Sequence, residues 1–340
     1  MGMDILFIVT WFGGGYIALQ LVMDLEAGSF SAKEVDMLSD TYNELIKHLK
    51  NETKPTPAKP WIECEFKDDL NFSHFLDFFS NIYNPKMLDE HMSCYFFRGQ
   101  ADSEWGLVPT LYRLLKGFDI KDALNLEYDS IIHFKRKTRG LLDLRLIPEE
   151  HEIAEWLGLM QHYGAPTRML DWTVSCVVAF YFAVTSEPFE KDGCLWFFNS
   201  PVMNSFMENE YSFPSEKELE FIVKDKDNFV KFGVENATNN VRTYLVERQS
   251  ERVISQQSVF SFSYNLFCDH AKAIGEIFLK NSEANNSEQA IPLVKILLSP
   301  VRKKEIRQYL NKMNVTAATL FPGVEGIGRS IYEMINMQKK

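Results

Sequence analysis

A short strip of this chain holds most of the side chains that could do chemistry. Gln161, His162 and Tyr163 are followed by Thr167 and Arg168, then by Asp171, Trp172, Thr173 and Ser175, before an apolar run to Ala183. Polar groups this dense beside a core-bound run must be hydrogen-bonded on burial or line a pocket. His162 offers a general acid or base and Tyr163 a stacking face. The plain alternative for His162 is a hydrogen-bonded core residue. Asp171 and Thr173 each stand close enough to the apolar run to cap a helix there. Such a helix start would also present N–H groups to an anion. Trp172 reads as a core plug.

Upstream, Arg98-Gly99-Gln100 follows the apolar stretch Cys94 to Phe97. A guanidinium at a strand end suits a bidentate phosphate contact, and Gly99 lets a ligand or a backbone approach closely. An internal pair between Arg98 and Asp171 or Glu155 is the alternative. Gln100 serves either reading. Trp105, Pro109 and Tyr112 are expected to pack, and Arg113 is a second anion-binding candidate. The sequence holds no metal-ligand set, phosphate-binding loop, dinucleotide fingerprint or hydrolase nucleophile elbow, which excludes several enzyme classes at the motif level.

These residues need elements to hold them. Apolar spacing predicts helices over Ser31–Lys50, Phe72–Tyr83, Leu124–Leu142, Glu149–Gln161 and Pro300–Met313, the last with a basic exposed face. Val174–Thr185 reads as a buried helix. Strands are predicted at Cys94–Phe97, Cys194–Asn199, Gln256–Tyr264 and Ile291–Leu298. Residues 51–60 are Pro- and Lys-rich and read as a linker. The expected organisation is an apolar or helical segment over 1–50, that linker, and one domain over 61–335 with a charged insertion around 205–245. The expected class is α+β, a single mixed or antiparallel β core wrapped by helices.

Composition sets outer bounds. With 340 residues, 46% of them hydrophobic, and 27 Phe, the chain can bury a sizeable core. The net charge of −11 argues against a general nucleic-acid clamp, which needs a local excess of Lys and Arg. Five cysteines without paired ligand spacing read as reduced thiols of a cytoplasmic protein. Ile5 to Met23 carries no charge and approaches the ~20 residues of a spanning helix. A membrane anchor, an apolar helix packed on the protein, and an upstream extension before Met23 all stay open.

Four ordered blocks resemble the FRG-domain family. They are YFFRGQADSEWGLVPTLYR (Tyr95 to Arg113), QHYGAPTRMLDWTVSCVVAFYFA (Gln161 to Ala183), ERVISQQSVFSF (Glu251 to Phe262) and the tail from Val294 to Gly323, which closes on Leu-Phe-Pro. Ser258 stands where the family usually has glycine, which leaves the backbone bend there to be explained. At the level of fold the order of parts is similar to ADP-ribosyltransferase-like proteins. That resemblance implies NAD as cofactor, without metal. It implies that Arg98 grips the phosphates and that Thr173 with Ser175 shapes the ribose pocket, while Gln100, Thr167, Arg168, Asp171 and Gln257 join them as candidates for binding the cofactor. Gln256 with Gln257 would then orient the reacting ribose, and Arg98, His162, Tyr163 and Gln256 are the catalytic candidates. The glutamate expected there has no clear counterpart, Glu251 and Glu247 lying upstream. A bacterial toxin or anti-phage enzyme fits this reading. A non-catalytic regulatory or nucleic-acid-associated binding module is its alternative.

Overall fold

The computed structural model describes residues 47–67, 71–73, 76, 95–200, 203–204, 214, 216–248, 250–285 and 293–338. The chain is α+β. Eight strands build one open mixed sheet: β1 (Leu49–Lys50), β2 (Ile62–Phe66), β3 (Tyr95–Gln100), β4 (Leu170–Thr173), β5 (Gly193–Asn199), β6 (Arg242–Tyr244), β7 (Ser258–Phe262) and β8 (Val294–Leu298). Their order is β1-β2-β8-β5-β3-β4-β7-β6, antiparallel throughout except for the β2–β8 pair. β5, Gly-Cys-Leu-Trp-Phe-Phe-Asn, is buried along its whole length, as a central strand covered on both faces must be.

The helices are α1 (Thr110–Leu115), α2 (Ile120–Thr138), α3 (Ile153–His162), α4 (Cys176–Val184), α5 (Glu216–Val223), α6 (Lys226–Glu235), α7 (Glu251–Gln256), α8 (His270–Asn285), α9 (Pro300–Lys312), α10 (Ala317–Leu320) and α11 (Val324–Gln338). On one sheet face Phe97, Phe197 and Ile296 meet Phe180 of α4 and Ile306 of α9. On the other, Phe96, Trp172 and Trp196 meet Ile274 and Phe278 of α8. Each fully buried Phe or Ile stabilises by roughly 1.5–3 kcal/mol. A third cluster joins α2, α3, α5 and α6 to Phe260 of β7.

Several expectations change in detail. Arg98, Gly99 and Gln100 lie within β3 and not beyond its end, because all three pair with β5. Gln256 ends α7 and Gln257 caps it in the left-handed region at φ 48°, so neither is on a strand. That residue makes the bend, and Ser258 is ordinary strand paired with Thr173. Of the helix expected over Ser31–Lys50 only residues 47–50 are described, and Leu49 and Lys50 pair with Phe66 and Glu65 in β1. Residues 51–60 join β1 to β2, tied by the Thr53 N–H to the Glu63 carbonyl at 3.0 Å. Most of Phe72–Tyr83 and all of Ile5–Met23 lie outside the described residues. No helix among the described residues is long and apolar enough to cross a membrane. The α9 helix keeps Lys304 and Lys312 exposed, while one of its lysines turns inward. Lys303 is buried, donating to the carbonyls of Ala101, Pro188 and Lys191 at 2.8, 2.6 and 3.1 Å.

Candidate functional site

β3 and β4 share a single register pair, Phe97 with Thr173. Beyond it the Asp171 carbonyl accepts not from the neighbouring strand but from Arg98 Nη1, at 2.5 Å. Arg98 Nε is buried and has no hydrogen-bond partner among the described residues. Among the described residues no carboxylate forms an ion pair with this guanidinium. Burial lowers the Arg98 pKa, Asp171 offsets this in part, and Arg113 adds to the lowering. A partly buried cation with one neutral partner is costly in isolation. Gly99 is explained by packing. A Cβ there would stand 1.8 Å from the Ala179 carbonyl oxygen, so its bare backbone lets α4 lie on the sheet. Gln100 is buried and structural, its Oε1 accepting from Trp196 Nε1 at 2.8 Å.

The Asp171 side chain is exposed, because β4 alternates and Leu170 and Trp172 take the buried face. Gln161 Nε2, from the last turn of α3, donates to Asp171 Oδ2 at 2.9 Å. Thr167 donates to Gln161 Oε1, which fixes the amide orientation. His162, one residue on, has Nδ1 3.2 Å from Ser250 Oγ, and its carbonyl accepts from Arg252 Nη1 at 3.4 Å. Burial lowers the His162 pKa, Arg252 lowers it further, and Glu325 opposes them. Tyr163 is exposed and meets the imidazole edge-on at 4.7 Å. Arg252 lies 4.8 Å over the buried Phe321 ring, which Arg329 also covers at 4.2 Å. Glu325 and Asp171 both act on the Arg252 charge.

Asp171 therefore bonds Arg98 through its carbonyl and Gln161 through its carboxylate, and its charge acts on both Arg98 and Arg252. Arg252 and the Phe321 contact were not anticipated. The signal available was that Arg252 and Leu-Phe-Pro belong to the two late sequence blocks. Their meeting, together with Gln256 Nε2 donating to the Leu320 carbonyl at 3.0 Å, is tertiary.

Other expected site residues are spent on structure. Arg168 is buried against Glu127, with Nε 2.6 Å from Oε1 and Nη2 on Oε2, and Nη1 donates to the carbonyls of Ser263 and Tyr264. The cap of α4 is Ser175, whose Oγ accepts from the Val178 N–H at 3.4 Å, and neither Asp171 nor Thr173 caps it. Thr173 Oγ1 instead donates to the Gln256 carbonyl at 2.7 Å. Arg113 bonds the Val108 carbonyl and Thr110 Oγ1. Trp105, expected to pack, is exposed. Among the described residues no group of three or more His, Cys, Asp or Glu side chains could hold a metal. Cys64, Cys176, Cys194 and Cys268 are free thiols, and burial raises the pKa of each.

A family model for the FRG domain matches residues 93–192, which hold β3, β4, α3, α4 and the Arg98–Asp171 contact. No curated protein and no solved structure gives a significant match.

Proposed function

We propose that this chain, which carries an FRG domain across residues 93–192, binds NAD where β3 and β4 part and transfers its ADP-ribosyl group. The observation that carries the reading is Arg98, a partly buried guanidinium whose Nε has no partner and whose one hydrogen bond goes to a carbonyl among the described residues. A diphosphate supplies the charge and the acceptors it lacks. The order of sequence parts, read as similar to that of ADP-ribosyltransferase-like proteins, is an analogy that points the same way.

In this reading the ribose C1′–nicotinamide bond breaks and nicotinamide leaves with the bonding pair. The Asp171 carboxylate steadies the positive charge on the ribose, held in place by Gln161. An oxygen or nitrogen of the acceptor, or water, bonds to C1′ and gives its proton to His162. His162 is neutral at pH 7, because burial and Arg252 depress its pKa. Tyr163 offers a face for the departing ring, and Gln257, partly exposed at the left-handed turn, is the amide left to orient the ribose. The acceptor is a protein or nucleic acid, which fits a toxin or anti-phage role. Residues 5–23 would tether the chain to a membrane, and detergent dependence of the full chain but not of one starting at Met23 tests this.

One observation favours a second reading, binding without transfer. The carboxylates acting on Arg252 are Glu325 and Asp171, neither of them Glu247 or Glu251. Incubation of the full chain with millimolar NAD separates the readings. Nicotinamide release that disappears in Arg98→Met supports transfer. A melting shift without release supports a binding module. Neither shift nor release overturns both.

A further inference from the structure

The helices α5 and α6, which arise from the charged insertion, cover a cavity of about 330 Å³. Their charges face outward, while Leu219, Ile222 and Val223 of α5 and Phe229 and Phe232 of α6 line its wall. The opposite wall is Ile153, Ala154 and Leu157 of α3. Aromatic rings run along one side in contact with each other: Phe232 with Tyr264 at 5.2 Å, Tyr264 with Phe262 at 5.7 Å, and Phe262 with Tyr244 at 6.4 Å.

Polar groups on the wall are already engaged by the protein, His151 and Arg242 among them. Glu127 and Arg168 hold each other, and Arg168 also bonds two carbonyls. Tyr244 donates to Glu155 at 2.7 Å, Thr243 bonds Asn204, and Glu152 pairs with Arg248. A charged ligand would lose its hydration here without gaining these partners. Size points in the same direction. An apolar cavity of ~150 Å³ stays dry and takes one benzene, and this one is about twice that.

We infer that the cavity is a binding site for a neutral, flat, largely apolar molecule of two or more fused or linked rings. It is separate from the NAD reading, since no residue of the Arg98–Asp171–Arg252 cluster lines it. The α3 helix runs from the cavity wall to Gln161 and His162, so the two regions share an element without sharing a ligand.

The test uses two fluorescent probes of the same ring system. N-phenyl-1-naphthylamine is neutral, and 1-anilinonaphthalene-8-sulfonate adds one negative charge. The neutral probe is expected to bind the folded full chain saturably, one per chain and at least tenfold more tightly than the sulfonate. Ala154→Trp fills the cavity from α3 and should weaken the neutral probe by tenfold or more. Ile222→Phe fills it from α5 and keeps the test open should the first variant fail to fold. Absence of saturable binding by the wild-type chain overturns the inference. So does equal or tighter binding of the sulfonate, or unchanged binding in a folded variant.

Discussion

Arg98 is the residue on which the account turns. Its guanidinium is partly buried, and Nε has no partner among the described residues. Removing such a charge loses one hydrogen bond, worth ~1 kcal/mol, but also removes an uncompensated desolvation cost of comparable or greater size. Arg98→Met is therefore expected to leave stability in urea unchanged or raise it by up to ~2 kcal/mol. Arg168 is the contrast. It is paired with Glu127 in the interior, so Arg168→Met leaves a buried carboxylate alone and should cost ~3–5 kcal/mol. The same pair of urea curves measures both. Equal losses would make Arg98 an ordinary structural arginine.

His270 offers a pH test at the same scale. Ser261 Oγ accepts from Trp172 Nε1 at 2.7 Å and lies 2.9 Å from His270 Nδ1. Burial, aided by Arg98, pushes the imidazole pKa down to about 3. The folded value is lower than the unfolded one, so the unfolded chain takes up a proton first as pH falls. Stability from this residue is complete above about 6.5 and declines through the window down to about 3. The slope is ~1.4 kcal/mol per pH unit. The wild-type chain should lose ~2 kcal/mol between pH 7 and pH 5 from this group, and His270→Gln should be flatter by that amount in urea titrations at the two pH values.

At the scale of elements, Gly99 and Gln257 show where sequence reading ends. Helical and alternating patterns located α2, α3, α4, α9, β5 and β8 closely, since an amphipathic or fully apolar run states its own burial. Gly99 was legible as a close approach, but not that the approaching backbone is α4. Gly99→Ala puts a methyl group 1.8 Å from a carbonyl oxygen of that helix. Neither backbone can yield cheaply, so a loss above ~4 kcal/mol or failure to fold is expected, read as insoluble expression or a collapsed urea midpoint. The bend before β7 looked as if it belonged to Ser258, and it sits at Gln257. A non-glycine residue in the left-handed region carries ~1–2 kcal/mol of strain, part of which glycine returns as unfolded-state entropy. Gln257→Gly should raise the thermal midpoint modestly, while Gln257→Val should lower it.

At the scale of the whole molecule, the four sequence blocks converge. The first reaches the second through Arg98 and the Asp171 carbonyl, and the third reaches the fourth through Arg252 on Phe321 and Gln256 on Leu320. No spacing in the sequence states these contacts, which join residues 73 and 64 positions apart in the hydrogen-bonded cases. Sequence types did identify the residues worth asking about. Packing then divided them, giving Gln100, Arg168, Thr173 and Gln256 to the scaffold and leaving Arg98, Asp171 and Gln161 joined in a row of hydrogen bonds, with His162 next to Gln161 in α3.

Calorimetric titration of ADP-ribose into the full chain tests that division most directly, because ADP-ribose carries the diphosphate without the leaving group. The account predicts one site per chain in the wild type and at least a hundredfold weaker binding in an Arg98→Met variant of undiminished stability. Absence of binding to the wild type, or equal binding to both chains, would contradict it.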